Sequence, residues 1–191
     1  MAIRSAAVTL LLLCSAPGVG AQDRPTFPPT RDVAVEYQTS GGPRGRSPHS
    51  ATINFYYTTR GERLRADLPN QGYMIVDTSG KRLTMVMIGP RVYLEVPYDP
   101  GRTPAFAPPR DAKFTRQGTD TVAGQNCTVW SVESKQGNGT ACITADGVML
   151  RGQGEGERGG GSLLAVRVSY GEQPEELFRP PPDFRRLTTV K

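Results

Sequence analysis

The sequence is poor in the side chains that usually carry chemistry. Among its 191 residues there is one histidine, His49, one tryptophan, Trp130, and three cysteines. A Ser-His-Asp triad or a histidine-based zinc centre would hang on His49 alone. That residue stands in a Gly/Pro/Ser/Arg stretch without a patterned partner. The carboxylates Asp67, Asp77, Glu95, Asp120, Glu133 and Asp146 fall at turns or on faces read as wet, where no pairing for acid–base work can be inferred. Gly154-x-Gly156-x-x-Gly159 matches a dinucleotide fingerprint in spacing only. A strand-like segment follows it where a helix should begin, and Glu155 and Glu157 would repel a phosphate. The sequence offers no catalytic residue, no metal-ligand set and no cofactor motif. The expectation is a protein that is not an enzyme and carries no cofactor.

Long apolar runs are missing too. The best one, Ala6 to Leu13, is too short to span a bilayer, which takes about 20 residues. With Arg4 before it and the small residues Val19-Gly20-Ala21 after it, Met1 to Ala21 reads as a secretory leader cleaved after Ala21. Leu11-Leu12-Leu13-Cys14 also suggests a lipidation site, but Leu13 stands where a small residue is wanted, so lipidation of Cys14 ranks second. Nothing later is long and apolar enough to cross a membrane, so the mature chain is expected to be soluble and periplasmic or secreted. Cys14 then leaves with the leader. Cys127 and Cys142 remain as an even pair for an oxidising compartment, 15 positions apart. Gly137-Asn138-Gly139 lies roughly midway between them, so a hairpin turning there would bring the pair together. No Cys-x-x-Cys spacing points to redox work, and the pair reads as a structural disulfide.

Strong clustering of charge is absent as well. The formal net charge is +5. The arginines, among them Arg44, Arg46, Arg60, Arg63, Arg65, Arg82 and Arg91, are scattered beside turns or between apolar residues. A nucleic-acid surface would gather them with aromatics on one face. The expectation is therefore a solvated surface and no nucleic-acid partner.

What the chain does have is a period of two. Residues 22–31 form a proline-rich lead-in that cannot pair as a strand. In the domain over 32–191, Val33, Val35 and Tyr37 alternate with polar or small neighbours. So do Ile53, Phe55 and Tyr57; Leu64, Ala66 and Leu68; Val92, Leu94 and Val96; and Leu164, Val166, Val168 and Tyr170. Glycine- and asparagine-bearing turns separate these runs at short intervals. No window shows a helical stripe. The best helical candidate is one turn at Pro174–Phe178, with proline and acids at its start. The pattern predicts nine or ten antiparallel strands in meander order, interrupted by irregular segments at 97–112 and 152–161. Of these, 152–161 reads as a flexible hairpin loop, and Phe106 within 97–112 could fold over an apolar opening as a lid. A large sheet without helices must bury its apolar face as a sandwich, a closed barrel or a curled single sheet.

The stretch from Phe114 to Trp130, with Phe114-Thr115, Gly118, Val122-Ala123-Gly124 and Cys127, resembles the signature of a bacterial exported family of unknown function. Leu64-Arg65-Ala66-Asp67, Gly72 to Asp77 and Leu177 to Phe184 are similar to further parts of it. That family in turn resembles the lipoprotein-carrier (LolA-like) superfamily. The resemblance implies a mainly β fold, a single large curled antiparallel sheet or half-barrel that cradles acyl chains, with a lipid or lipoprotein as partner. The carriers close their half-barrel with helices, which this chain's pattern lacks. Phe178 and Phe184 flank Pro180–Pro182, a stiff extended connector suited to strap one edge or mouth of the sheet. Methionine suits adaptable apolar surfaces. The expected ligand-binding residues are Phe55, Met74, Met85, Met87, Leu94 and Trp130, with Phe106 as cover. An interaction module with a filled core is the competing expectation.

Overall fold

The computed structural model describes residues 24–43, 49–60, 62–99, 111–156 and 159–188. The expected leader with Cys14, and Phe106 with most of the 97–112 segment, lie outside them.

The chain forms one mostly β, curled, open sheet. Its strands are β1 (Val33–Pro43), β2 (His49–Thr58), β3 (Arg63–Leu68), β4 (Gly72–Asp77), β5 (Arg82–Met87), β6 (Val92–Pro97), β7 (Lys113–Val122), β8 (Gln125–Ser134), β9 (Gly137–Ile143), β10 (Met149–Gly156), β11 (Gly159–Tyr170) and β12 (Arg185–Leu187). Among the described residues there are twelve strands rather than nine or ten, and they do not form one meander. The order is β12-β6-β5-β4-β3-β2-β1-β11-β10-β9-β8-β7. Two antiparallel meanders, β1–β6 and β7–β11, are sewn together where β1 pairs β11. The short β12 adds to β6 in parallel.

This order accounts for the curl. Residues 98–112 must join β6, near one end of the strand order, to β7 at the other. A flat sheet would separate them by ten strand spacings, about 48 Å. That is the limit of what the connecting residues could reach if fully extended, about 50 Å. A right-twisted sheet curls instead, which shortens the span the connection must cross.

Within β1–β6 the period of two is obeyed. Register puts Val33, Val35 and Tyr37 opposite Tyr57, Phe55 and Ile53, all buried. We call this the inner face. β11 departs from the reading. A bulge opposite Glu36 and Tyr37 sets Tyr37 against Ala165, which is 3% exposed, and turns Leu164 and Val166 outward at 40% and 41%. One extra residue in a strand reverses the facing of what lies beyond it, and local alternation cannot show that.

The glycine segment is also not a loop. β10 and β11 pair from Arg151–Leu164 to Gly156–Gly159, leaving only residues 157–158 between the strands. Small residues serve close contact here: a Cβ on Gly139 would collide with the Gln153 carbonyl oxygen of β10. His49 likewise opens β2 rather than lying in a loop. The β8–β9 hairpin forms as expected, but it turns at Lys135-Gln136, and Gly137–Gly139 begin β9. Cys127 and Cys142 are bonded across it with Cα atoms 5.4 Å apart.

The expected helical turn is a single 3-10 turn, Glu175–Phe178. It starts the C-terminal strap, which lies against the outer face of β3–β6. Phe178 packs there with Tyr73, Ile75 and Val86, and Leu177 and Phe184 join from the rim. The arginines expected to be solvated hold it down. Arg63 makes a two-pronged bond to Glu175, at 3.0 and 2.6 Å. Arg65 donates to the Leu177 carbonyl and stacks 3.7 Å from the Tyr73 ring centre. Arg91 pairs with Asp183, and Arg186 with Glu95. An arginine fork over an aromatic ring is stabilised by both, so half-burial costs it little.

Candidate functional site

Alternation carries every inner-face side chain of β3–β6 to the same side: Leu64, Ala66 and Leu68; Met74 and Val76 beyond Gly72; Leu83, Met85 and Met87; Val92, Leu94 and Val96. None is polar. Register also aligns them across strands. Val35 faces Phe55, Phe55 faces Ala66, and Ala66 faces Met74. Met74 faces Met85, Met85 faces Leu94, and Leu94 faces Leu187. This is one row across seven strands. Phe55 and Ala66 are buried, Met74 is half-buried, Met85 is 42% exposed, and Leu94 and Leu187 are half-buried again.

The buried end of the row opens on a cavity of about 50 Å³. Phe55, Val35, Tyr57 and Leu64 form its sheet side. Leu163, Val148 and Met149 close it from the other meander, and Phe27 and Pro29 of the lead-in lie across it. At roughly 10–15 Å³ per water-sized group, it holds about three to five such groups. That suits the end of a hydrocarbon chain and not a bulky head. The Tyr37 hydroxyl donates to the Met149 carbonyl at 2.5 Å, and burial pushes its phenol far above the usual range, so it stays neutral. Burial also raises the Tyr57 phenol, with the Glu62 and Asp32 carboxylates adding to the effect.

The lead-in is held at both ends. Arg24 donates to the Ala112 carbonyl at 2.6 Å, and its guanidinium lies 5.7 Å from the Phe114 ring centre. The Thr30 amide donates to the Asp146 carbonyl at 2.8 Å, and Arg31 stacks on Tyr170 at 4.1 Å. Between these anchors Phe27 reaches the cavity while remaining 39% exposed.

Of the residues expected from sequence, Phe55 lines the cavity, and Met74, Met85 and Leu94 continue its row. Met87 lies on the same face one row over, opposite Gly72 and Val92. Trp130 belongs elsewhere. It faces Ala141, which faces Gly152, which faces Leu163, the first of these to touch the cavity. Three strand spacings, about 14 Å, separate it from Leu163, and its cluster reaches the cavity only through Met149. It is buried with Phe114, Val132 and Met149, under the Arg116 guanidinium. Its indole nitrogen has no hydrogen-bond partner among the described residues. Phe27, Tyr37, Met149 and Leu163 were missed as site residues. Only Phe27 left a sequence signal, an aromatic stranded among prolines that has no strand in which to bury itself. Among the described residues no group of His, Cys, Asp or Glu side chains could hold a metal ion, and no helix is long and apolar enough to cross a membrane.

No protein-family model and no curated protein matches this sequence. Solved structures do. One is an uncharacterised conserved protein from Thermus thermophilus, 13% identical, with a TM-score of 0.58 over 83% of this chain and 90% of that one. Another is the complex of MucA and MucB from Pseudomonas aeruginosa, 14% identical, with a TM-score of 0.52 over 84% of this chain. This chain spans 59% of the length of that one. A looser match is a LolA superfamily protein from Nitrosomonas europaea, 8% identical with a TM-score of 0.42 over 79% of this chain and 91% of that one. At these identities the likeness is one of fold.

Proposed function

We propose that this chain is a non-enzymatic protein of the bacterial envelope that holds an acyl chain, of a lipid or of a lipidated partner, against the inner face of its sheet. The uncharged row running from the cavity to the sheet edge carries this reading. From β1 to β6 every strand beneath the row is flanked by a paired neighbour on both sides, so its backbone groups are spent in the sheet's own ladder. A peptide laid across it would bring amides and carbonyls and find nothing to bond them. Such groups cost a few kcal/mol each when desolvated without a partner. A hydrocarbon chain brings none. Each buried methylene contributes about 0.8 kcal/mol, or half that when one side stays wet. A chain of about sixteen carbons then gains roughly 6 kcal/mol, a Kd in the tens of micromolar.

The leader-like start and the Cys127–Cys142 disulfide support export to an oxidising compartment. Protein gently purified from an export host and sprayed intact in native mass spectrometry is expected to carry lipid adducts, and to take up a fluorescent fatty acid when stripped. A clean apo mass with no uptake would refute the reading. A second reading, a module that binds another envelope protein, is favoured by the fold likeness to MucB, whose solved structure is a complex with MucA. In that case pull-down, not lipid extraction, finds the partner.

A further inference from the structure

The inner face is uncharged over β1–β6. The added strand β12 ends that uniformity. Parallel register sets Arg185 opposite Val92 and Leu187 opposite Leu94, so alternation puts both on the inner face. Arg186, between them, turns to the outer face and pairs with Glu95 at 2.6 Å. Arg91, whose carbonyl accepts the Arg185 amide, is taken by Asp183. Arg185 is exposed, and no ion pair holds it among the described residues. Among the positions that register assigns to this face on β1–β6 and β12, it alone is a lysine, arginine or carboxylate. The opposite end of the same surface is the small cavity, walled by apolar side chains and neutral tyrosines and stoppered by Phe27. From β12 to β2 is five strand spacings, about 24 Å, the scale of a long extended acyl chain.

We infer that the ligand is a single-chain amphiphile with an anionic head. It lies across the strands with its head at Arg185 on the sheet edge and its tail pointed along the Leu94–Met85–Met74 row into the cavity, where it displaces Phe27. This rests on the acyl-chain reading and adds polarity and direction to it. A head group at the cavity end would have to leave water for a small space walled mostly by apolar side chains, with no cation on it, whereas at β12 it stays hydrated beside Arg185. The lead-in is suited to yield, because its anchors lie at residues 24 and 30–31 and Phe27 between them is already partly in solvent.

The test compares cis-parinaric acid with its methyl ester, by fluorescence, on the purified protein at pH 8. The wild type is expected to bind the acid about three-fold more tightly than the ester, the scale of one exposed ion pair. Arg185→Ala should remove that preference and leave the ester unchanged, and 0.5 M salt should do the same. Phe27→Ala should tighten both about ten-fold, since a ligand that must first expel a side chain binds only to the fraction already open. A fatty acid with a diazirine at its terminal carbon should label the wall around Phe55 and Phe27. Equal binding of acid and ester, unmoved by Arg185→Ala, overturns the head-group assignment while the acyl-chain reading survives. Terminal-carbon labelling at β6 or β12 overturns the direction. Uptake of neither probe by any variant removes the acyl-chain reading itself, and this inference with it.

Discussion

Replacing Phe178 by alanine tests whether the C-terminal strap is part of the folded core. The side chain is 5% exposed and sits among Tyr73, Ile75 and Val86, with the Arg63 guanidinium 5.2 Å from its ring centre. Removing a buried phenylalanine costs about 3–5 kcal/mol, the transfer loss plus the cavity left behind. A strap lying on a surface can settle inward more readily than a helix locked on all sides, so the lower figure applies, about 3 kcal/mol. For a domain of this size each kcal/mol moves the melting point roughly 2–4 °C, so the expected fall is about 6–12 °C. Urea titration followed by circular dichroism should show a lower midpoint with an unchanged slope, because strap and sheet unfold together. Phe184→Ala is the internal control: that ring is only half-buried, and its loss should cost about 1 kcal/mol. A Phe178→Ala loss under about 1 kcal/mol, or a reduced slope, would mean that the strap detaches independently, and the reasoning would fail. Since the strap covers the outer face, fatty-acid uptake by the folded variant should be unchanged.

The Glu175 carboxyl gives a pH signature. Its hydrogen bond from Arg63, aided by the charges of Arg63 and Arg179, outweighs partial desolvation and lowers its pKa to about 2. The contribution is fully present above the unfolded value of 4.5 and is lost as pH falls through about 2, so wild-type stability should drop across that window. Glu175→Gln, compared by melting curves from pH 2 to 6, should lack this component; a parallel pH profile refutes the assignment. Removing the disulfide as Cys127→Ser with Cys142→Ser should cost about 3 kcal/mol in the chain-entropy model, and a melting point that does not move would show the bond to be dispensable. Gly139→Ala should cost about 2–3 kcal/mol by forcing β9 off the Gln153 carbonyl. Gly124→Ala, which has open space but a φ of +73°, should cost only about 1 kcal/mol of backbone strain. Equal losses in urea titrations of the two would contradict the close approach of β9 and β10.

The fold was legible where the information is local. Alternation in Val33–Tyr37, Ile53–Tyr57 and Val92–Val96, with turn residues between, gives strands and facing without further help. It could not tell that β1 pairs β11, because nothing near either strand encodes a partner more than a hundred residues away. Nor could it show the bulge that turns Leu164 and Val166 outward, since an inserted residue looks like any other. The arginines misled for a related reason. Arg63 and Arg65 alternate with apolar residues as solvated charges do, and only the strap arriving from residues 172–184 half-buries them. At the candidate site, Phe55, Met74, Met85 and Leu94 were readable by period, and tight hairpins then fixed them into one row. Phe27 and Met149 come from a lead-in and a strand start that meet only through tertiary packing. Trp130 sits in a period-two strand, and that period does not say which cluster a ring will join.

The sequence of β4, Gly-Tyr-Met-Ile-Val-Asp, joins these observations. Its apolar residues run continuously, the mark of a strand covered on both faces. Its outer pair, Tyr73 and Ile75, has its cover: the strap, with Phe178 in place and the Tyr73 hydroxyl bonded to the Arg179 carbonyl at 3.0 Å. Its inner residue Met74 faces Met85, which is left 42% exposed beside a cavity that the chain's own Phe27 only partly closes. On the acyl-chain proposal, this half-open surface of aligned methionines is where the occupant lies. If so, filling the row from within is the decisive perturbation. Met85→Arg should leave the stability within about 0.5 kcal/mol of wild type, because the position is exposed. It should also abolish fatty-acid uptake, because a charge would then lie in the path of the chain. Uptake that survives this substitution would place the acyl chain on some other surface and refute the row as its path.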